Sequence, residues 1–364
     1  MSNTNKTQVP VSFAAIDPYI ETNIVAPTEK EMSAGGHKMI TWGDGNGYPD
    51  YLLDLYRNCG TLKSCVDGCV DYICGNGAIS RKAVMNEKGE TPDQLVRKLA
   101  LSLARLGGFA IQVIRDLGGE TKWLEALDLR YVRTDKERSV FFYSEEFAKK
   151  YVRSGKMLEY PAFMKDANHP SSVYFFSNDD TQVYPLPWYA AVIKSCETER
   201  SIDEFHLNEI NNGFTSSYAV NFNNGVPTDE IKEQIERAFN EKFSGKSNAG
   251  RIVFSWNPNV ASRTTFEQIK TEDFGDKYRS LASWCRQQIF TAFRANPNLF
   301  GIPTESLGFS QEEYDSAFRL FNRTRIQPAQ QAIVSAFDAI LGEGALSIVP
   351  FSMDTAADDS AQTE

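Results

Sequence analysis

PWYAAVIKSCETERSIDEFHLNEINNG, Pro187–Gly213, divides the chain into two differently built halves. Proline opens the stretch, where its missing N–H costs nothing, and Asn211-Asn212-Gly213 closes it. The spacing in between predicts one helix over Pro187–Ile210, about 36 Å long at ~1.5 Å per residue. Its apolar stripe runs through Tyr189, Val192, Ile193 and Cys196 and resumes at Ile202, Phe205 and Ile210. Between these lies Glu197-Thr198-Glu199-Arg200-Ser201, a turn with no apolar residue on any side. A helix buried in a monomeric core rarely tolerates that. One bridging two regions, with wet faces or polar neighbours, does.

Downstream, a strand at Ser217–Phe222, a helix at Asp229–Phe243 capped by Thr228 and a strand at Arg251–Trp256 form a small α/β insert. A second long helix follows over Asp273–Phe293, with apolar residues at Phe274, Tyr278, Leu281, Cys285, Ile289 and Phe293, and Pro297 ends it. A loop then leads to Ser310-Gln311-Glu312-Glu313, the pattern of a capping box. The helix it opens passes through Phe318 and Phe321, is expected to bend or restart at Pro328, and stops at Gly342. Upstream, residues 1–40 show no sustained period and suggest an extended arm. Helices are expected over Tyr48–Tyr56, Gly60–Ile73 and Leu95–Leu106, and strands over Phe109–Arg115, Lys122–Leu129, Arg138–Tyr143 and Ser172–Phe176. The class is α+β. Two long helices flanking an insert place that insert at the far end of a helical hairpin and expose much of both rods. Lateral association covers such faces, and identical heterologous contacts that close make a ring.

The 364 residues sum to a charge of −10, with 41% apolar and 24% charged residues. That balance excludes wholesale disorder, and the negative charge argues against a cationic nucleic-acid wrapper. No segment approaches the ~20 apolar residues of a membrane helix, and Met1–Pro10 lacks a signal-peptide core, so synthesis and folding in a cytoplasm are expected. Six cysteines are too few for a disulfide scaffold. Cys65 and Cys69, four apart on a helix beside Val66 and Val70, read as small buried hydrophobes and not as metal ligands. Residues 352–364, with Asp354, Asp358, Asp359 and Glu364, read as disordered.

Catalytic patterns fail in turn. Gly43-Asp44-Gly45-Asn46-Gly47 lacks a feeding strand and the third glycine of a dinucleotide fingerprint, and reads as a plain turn. Gly245-Lys246-Ser247 imitates the end of a P-loop, but Asn240 stands where the first glycine belongs. His37, His169 and His206 share no metal-binding spacing, no G-x-S-x-G elbow exists, and Glu197/Glu199 or Asp179/Asp180 read as surface charge. Neither an enzyme nor a cofactor is expected. Arg279, Arg286 and Arg294 on the second long helix, with Arg319, Arg323 and Arg325 on the last, leave three readings open: phosphate contact, ion pairs between subunits, or a solvated face balanced by nearby carboxylates.

Several stretches, in order, resemble the HK97-like portal proteins of tailed bacteriophages. Gly107-Gly108-Phe109-Ala110-Ile111-Gln112-Val113-Ile114-Arg115-Asp116, then Trp123-Leu124-Glu125-Ala126-Leu127-Asp128, is similar to that family's wing hairpin. Tyr184-Pro185-Leu186-Pro187 leading to Asn211-Asn212-Gly213-Phe214 resembles its first stem helix. Phe243-Ser244-Gly245 and Asn248-Ala249-Gly250-Arg251 resemble its clip. Gln288-Ile289-Phe290-Thr291-Ala292-Phe293 and Pro297-Asn298-Leu299-Phe300-Gly301 resemble the second stem helix and its exit, and Ile326-Gln327-Pro328 the proline of the final helix. Asn296-Pro297 departs from the family's usual Val-Pro, and 298–309 carries no Lys or Arg.

The resemblance implies an arm (1–40), a wing (41–186), a first stem helix (187–211), a clip (212–270), a second stem helix (271–297), a tunnel loop (298–309), a kinked helix (310–344) and an acidic tail (345–364). It further implies a ring, typically of twelve subunits, at one capsid vertex of the virion, assembled in the host cytoplasm. Double-stranded DNA would pass through it during packaging and ejection. The implied partners are the terminase large subunit, a head–tail adaptor, and the major capsid or scaffold protein, with no membrane. Tunnel-loop residues Asn298, Glu305, Ser306 and Gly308 would face the channel, with Glu305 and Ser306 nearest the DNA. A non-channel adaptor or scaffold is the main alternative, and a nucleic-acid-processing enzyme the remoter one.

Overall fold

The computed structural model describes residues 24–34, 36–147, 156–167, 169–211, 217–222, 227–243, 252–256, 265–269, 275–300 and 311–351. The chain divides into two compact units, Asn23–Glu197 with Cys285–Glu364, and Met1–Thr22 with Thr198–Trp284.

The larger unit begins with a hairpin of β1 (Glu31–Ala34) and β2 (His37–Ile40), antiparallel and turned at Gly36. The extended arm expected over 1–40 thus pairs with itself as a hairpin at its end, and residues 1–23 lie outside the described residues. Met39 is fully buried against Phe142 and Phe147, a pairing between distant positions that no local period signals. Helices α1 (Tyr48–Asn58) and α2 (Gly60–Cys74) follow, then β3 (Ala78–Ser80) and α3 (Pro92–Leu106). A full capping box joins Thr91 to Gln94 at the start of α3, and Gly107 closes it in the left-handed conformation at φ 85°. On α2, Leu62, Cys65, Val66, Cys69, Val70 and Ile73 form a fully buried face. None of the six cysteines is in a disulfide, and burial pushes the Cys69 thiol up to about 12, so this sulfur packs as a hydrophobe.

Strand β4 (Gly108–Arg115) lies between β5 (Thr121–Leu127) and β9 (Ser171–Ser177), antiparallel to both. A second sheet joins β6 (Val132–Thr134), β7 (Val140–Tyr143) and β8 (Leu158–Pro161). The glycine-rich turn before α1 is more than a link. Asn46 is buried and its Oδ1 accepts from the Trp42 N–H at 3.0 Å and from Arg133 Nε at 2.7 Å. Arg133 is 1% exposed, with its fork spent on backbone carbonyls of Asn46, Arg130 and Val132 and its face toward Trp42, Phe147 and Tyr184.

The predicted helix from Pro187 is shorter than expected. A 3-10 turn occupies Ala190–Val192, and α4 spans Ile193–Asn211. Its polar turn is not wet: Glu197 and Glu199 are buried, and neither is without a partner. Glu197 lies against Tyr51, whose phenol is driven above the ordinary tyrosine range first by burial and then by that carboxylate.

In the smaller unit, β10 (Ser217–Phe222) precedes α5 (Asp229–Phe243), β11 (Ile252–Trp256) and β12 (Thr265–Ile269). Strand β10 is central, parallel to β11 and antiparallel to β12, so α5 is the crossover that parallel neighbours require. The sequence pattern missed β12 because Thr-Phe-Glu-Gln-Ile lacks a strong apolar run. Helix α6 spans Gly275–Phe293, and both long helices contribute to both units. Within the smaller unit, Phe205 of α4 meets Tyr278 of α6 with ring centroids 4.9 Å apart.

After α6 come a 3-10 turn at Pro297–Phe300, α7 (Gln311–Phe321), a π-helical turn at Asn322–Ile326, and α8 (Gln327–Leu341). The restart expected at Pro328 is present, with a π turn directly before it. Pro328 occupies the first turn of α8, where it is harmless, while the π turn carries the irregularity and Thr324 Oγ1 bonds back to the Leu320 carbonyl at 2.7 Å. The tail assigned from residue 345, expected to be disordered, is corrected at its start, where β13 (Leu346–Ile348) pairs with β3 and Ala345 and Leu346 are buried, while 352–364 lie outside the described residues.

Candidate functional site at the end of the second long helix

The last turns of α6 are held from three sides, all within the larger unit. Cys285, Ile289, Phe290 and Phe293 recur at helical spacing and are buried. Tyr189 stacks on Phe293 at 6.0 Å between centroids, and Trp188 meets its edge at 6.3 Å. From the π turn, Arg325 donates through Nη2 to the Ala292 carbonyl at 2.9 Å and through Nε to the Phe293 carbonyl at 3.2 Å. These are end-of-helix carbonyls, which lack partners in their own helix and attract positive charge. The Arg325 guanidinium also lies 4.5 Å over the Trp188 ring, and burial pulls its pKa below the usual arginine value.

The chain then leaves α6 through Arg294, at φ 54°, and the turn at Pro297–Phe300. Two contacts with α2 pin this exit. The Tyr72 hydroxyl donates to the Leu299 carbonyl at 2.8 Å. The Phe300 ring lies so close to Gly68 that a Cβ there would stand 2.2 Å from its Cε1, so any side chain at 68 would force the ring to shift. Phe300 also packs against Phe290, Tyr72 and Phe321, with centroids 5.7, 6.1 and 5.8 Å away. Opposite, Gln330 Nε2 of α8 donates to the Ile73 carbonyl at 3.0 Å and so binds the end of α2 to the same junction. The result is a fixed frame on both sides of residues 301–310, built from a glycine, a tyrosine hydroxyl, an arginine fork and an aromatic cluster.

Of the expected channel residues, Asn298 is half-buried in this frame, its N–H donating to Asn296 Oδ1 at 3.0 Å. Glu305, Ser306 and Gly308 lie outside the described residues, as does Ser310 of the expected capping box. The six arginines separate. Arg279, Arg286, Arg294, Arg319 and Arg323 are exposed, whereas Arg325 turns inward and serves the fold of its own chain. Among the described residues, Arg286, Arg294, Arg319 and Arg323 make no ion pair, while Arg279 does have a partner. Apolar side chains also stand in the open on the long helices: Leu207 and Ile210 of α4 and Leu281 and Trp284 of α6, with Leu320 on α7. Sequence reasoning named Phe300 and Arg325 but missed Gly68 and Tyr72. A glycine inside an apolar helix was the available signal, because such a residue marks close approach by another element.

Among the described residues, no group of three His, Cys, Asp or Glu side chains is placed to hold a metal ion, and no helix is long and apolar enough to cross a membrane.

No protein-family model and no curated protein sequence matches the chain. Solved structures do. The neck of a native GTA particle computed with C12 symmetry superposes with a TM-score of 0.54 at 15% identity, over 84% of this chain and 85% of that one. The neck of an empty GTA particle computed with C6 symmetry gives 0.54 at 16% identity, over 84% of this chain and 85% of that one. An HK97-family phage portal protein from Corynebacterium diphtheriae gives 0.52 at 9% identity, over 82% of this chain and 94% of that one. The fold is therefore portal-like.

Proposed function

We propose that the chain is the subunit of a homo-oligomeric portal ring at a capsid vertex, through which double-stranded DNA is packaged and ejected. The observation that carries this reading is a portal-like fold whose two long helices leave Leu207, Ile210, Leu281 and Trp284 exposed. Apolar side chains in the open on successive helices favour burial against neighbouring copies. Copies related by one rotation that closes supply that burial. The neighbour's twelvefold symmetry supports twelve subunits. In this reading the five outward arginines serve subunit contacts, and the sheet of β10–β12 with α5 is the clip that docks the terminase large subunit and later a head–tail adaptor. Residues 41–186 of the larger unit are the wing, facing capsid or scaffold protein.

Residues 301–310 would reach the channel from the fixed frame, with Glu305 and Ser306 nearest the duplex. Their segment contains no Lys or Arg, and the chain carries a charge of −10. Such a lining forms no phosphate-neutralising contacts, so it guides DNA without holding it. The assembly would be made in the host cytoplasm and remain in the virion.

Native mass spectrometry tests the ring: twelve copies of 40.9 kDa give an assembly of about 490 kDa, and a persistent monomer overturns the proposal. Replacing residues 301–308 by a glycine-serine segment should leave the ring intact and stop DNA packaging. Unimpaired packaging would favour a non-channel adaptor.

A further inference from the structure

A groove of about 310 Å³ opens on another face of the larger unit, between α1, α3 and the end of β5 with the residues that follow it. Helical spacing builds it. Leu53 and Arg57 stand four apart on α1, and Lys98, Leu101 and Arg105 recur along one stripe of α3. Leu127 through Arg130 form the opposite wall. Two of its four cations are already engaged: Lys98 pairs with Glu90, while Arg130 Nε bonds Asp128 at 3.0 Å and its Nη1 reaches Asp50 at 3.7 Å.

The other two are not. Arg57 is exposed and makes no ion pair among the described residues. The Arg105 guanidinium lies 4.2 Å over the Tyr56 ring, and its Nε is buried with no hydrogen-bond acceptor. Buried donors nearly always have acceptors, so an orphan at the wall of a groove marks a place where one arrives from outside. Two open guanidinium forks above a floor of leucines suit a planar carboxylate with an apolar neighbour. Nucleic acid fits less well. The Tyr56 ring is already taken by Arg105 and Lys63, and among the described residues no other aromatic side chain lines the groove on which a base could stack, while Asp128 is neutralised by Arg130.

We infer that this groove docks an acidic peptide segment of a partner protein. An Asp or Glu side chain of that segment meets Arg57 and Arg105, and an adjoining leucine-like side chain packs on Leu101 and Leu127. The groove's volume is at the low end for binding sites, room for one or two side chains and not for a folded domain. This inference stands apart from the ring, since every residue it uses belongs to one unit of one chain.

Fluorescence anisotropy on the full chain, with a fluorescein-labelled peptide Gly-Leu-Asp-Leu-Glu-Gly as probe, provides the test. Saturable binding is expected, at least about tenfold tighter than for the Asn/Gln counterpart peptide. Arg57→Gln should weaken it by about tenfold with an unchanged melting curve, and Arg105→Lys should weaken it too, because lysine cannot reproduce the stacked fork. The inference is overturned by no saturable binding, by equal affinity for the uncharged peptide, by Arg57→Gln binding like the parent chain, or by displacement of the peptide with a short single-stranded oligonucleotide.

Discussion

Arg325→Met removes the fork that clamps the end of α6 while keeping most of the side-chain volume. Two hydrogen bonds from a charged donor are lost, at 2.9 and 3.2 Å, each worth ~1.5 kcal/mol at the low end for charge-assisted bonds. The contact over Trp188 adds ~0.5–1 kcal/mol. Arg325 is only partly buried, so water reaches the freed carbonyls and restores part of this. A net loss of about 2–3 kcal/mol for holding the helix end remains. The loss falls locally, so the readout is hydrogen–deuterium exchange of a peptide covering 289–300, where the Arg294 and Ala295 amides are held by the Thr291 and Phe290 carbonyls at 3.0 and 3.1 Å. Exchange there should accelerate about thirty- to 150-fold, with α3 unchanged. Acceleration under ~3-fold, or Arg325→Lys exchanging as slowly as the parent, would refute the clamp.

Gly68→Ala places a methyl group into the Phe300 ring and should destabilise the larger unit by ~1–3 kcal/mol, read as a lower melting temperature. An unchanged melt would mean that the ring moves freely, contrary to its packing. Tyr72 sits above the ordinary tyrosine pKa of 10.0 because of burial first and then its bond with Tyr314. Its neutral form is thus favoured by folding: the contribution is complete below pH 10 and is lost above it as the unfolded chain ionises first. Stability should fall there by up to ~1.4 kcal/mol per pH unit for this group, and Tyr72→Phe should flatten that slope in urea titrations while costing ~1 kcal/mol at neutral pH. Leu281→Asp with Trp284→Asp should leave both units folded by circular dichroism and shift the native mass toward the 40.9 kDa monomer. An intact assembly would show that these side chains are not at the subunit contact.

The two long helices, the insert between them and the proline-bounded exit of the second were legible in the sequence because each has a local signature. The apolar stripe from Tyr189 to Ile210 marks the first rod, although its regular helix begins only at Ile193, and apolar residues from Tyr278 to Phe293 trace the second at helical spacing. Hydrophobic period was a poorer guide to polar residues. Glu197 and Glu199 read as surface charge, yet both are buried, and Glu197 lies against Tyr51, far away in sequence. Arg325 read as one of six exposed cations and proved to be a clamp, because the carbonyls that claim it belong to a different helix, more than thirty residues upstream.

Local chemistry, acting within a few residues, determined by itself which segments become helices, which cysteines pack as hydrophobes, and that residues 301–310 carry no cation. Tertiary packing alone decided that Gly68 lies bare against the Phe300 ring, that Tyr72 holds Leu299, that Arg133 is buried with Asn46, and that Arg105 keeps an open donor at a groove. The physical reason is range. A cap or a period is satisfied by neighbours along the chain, whereas a buried polar group or a missing side chain has meaning only beside the partner that folding delivers from elsewhere.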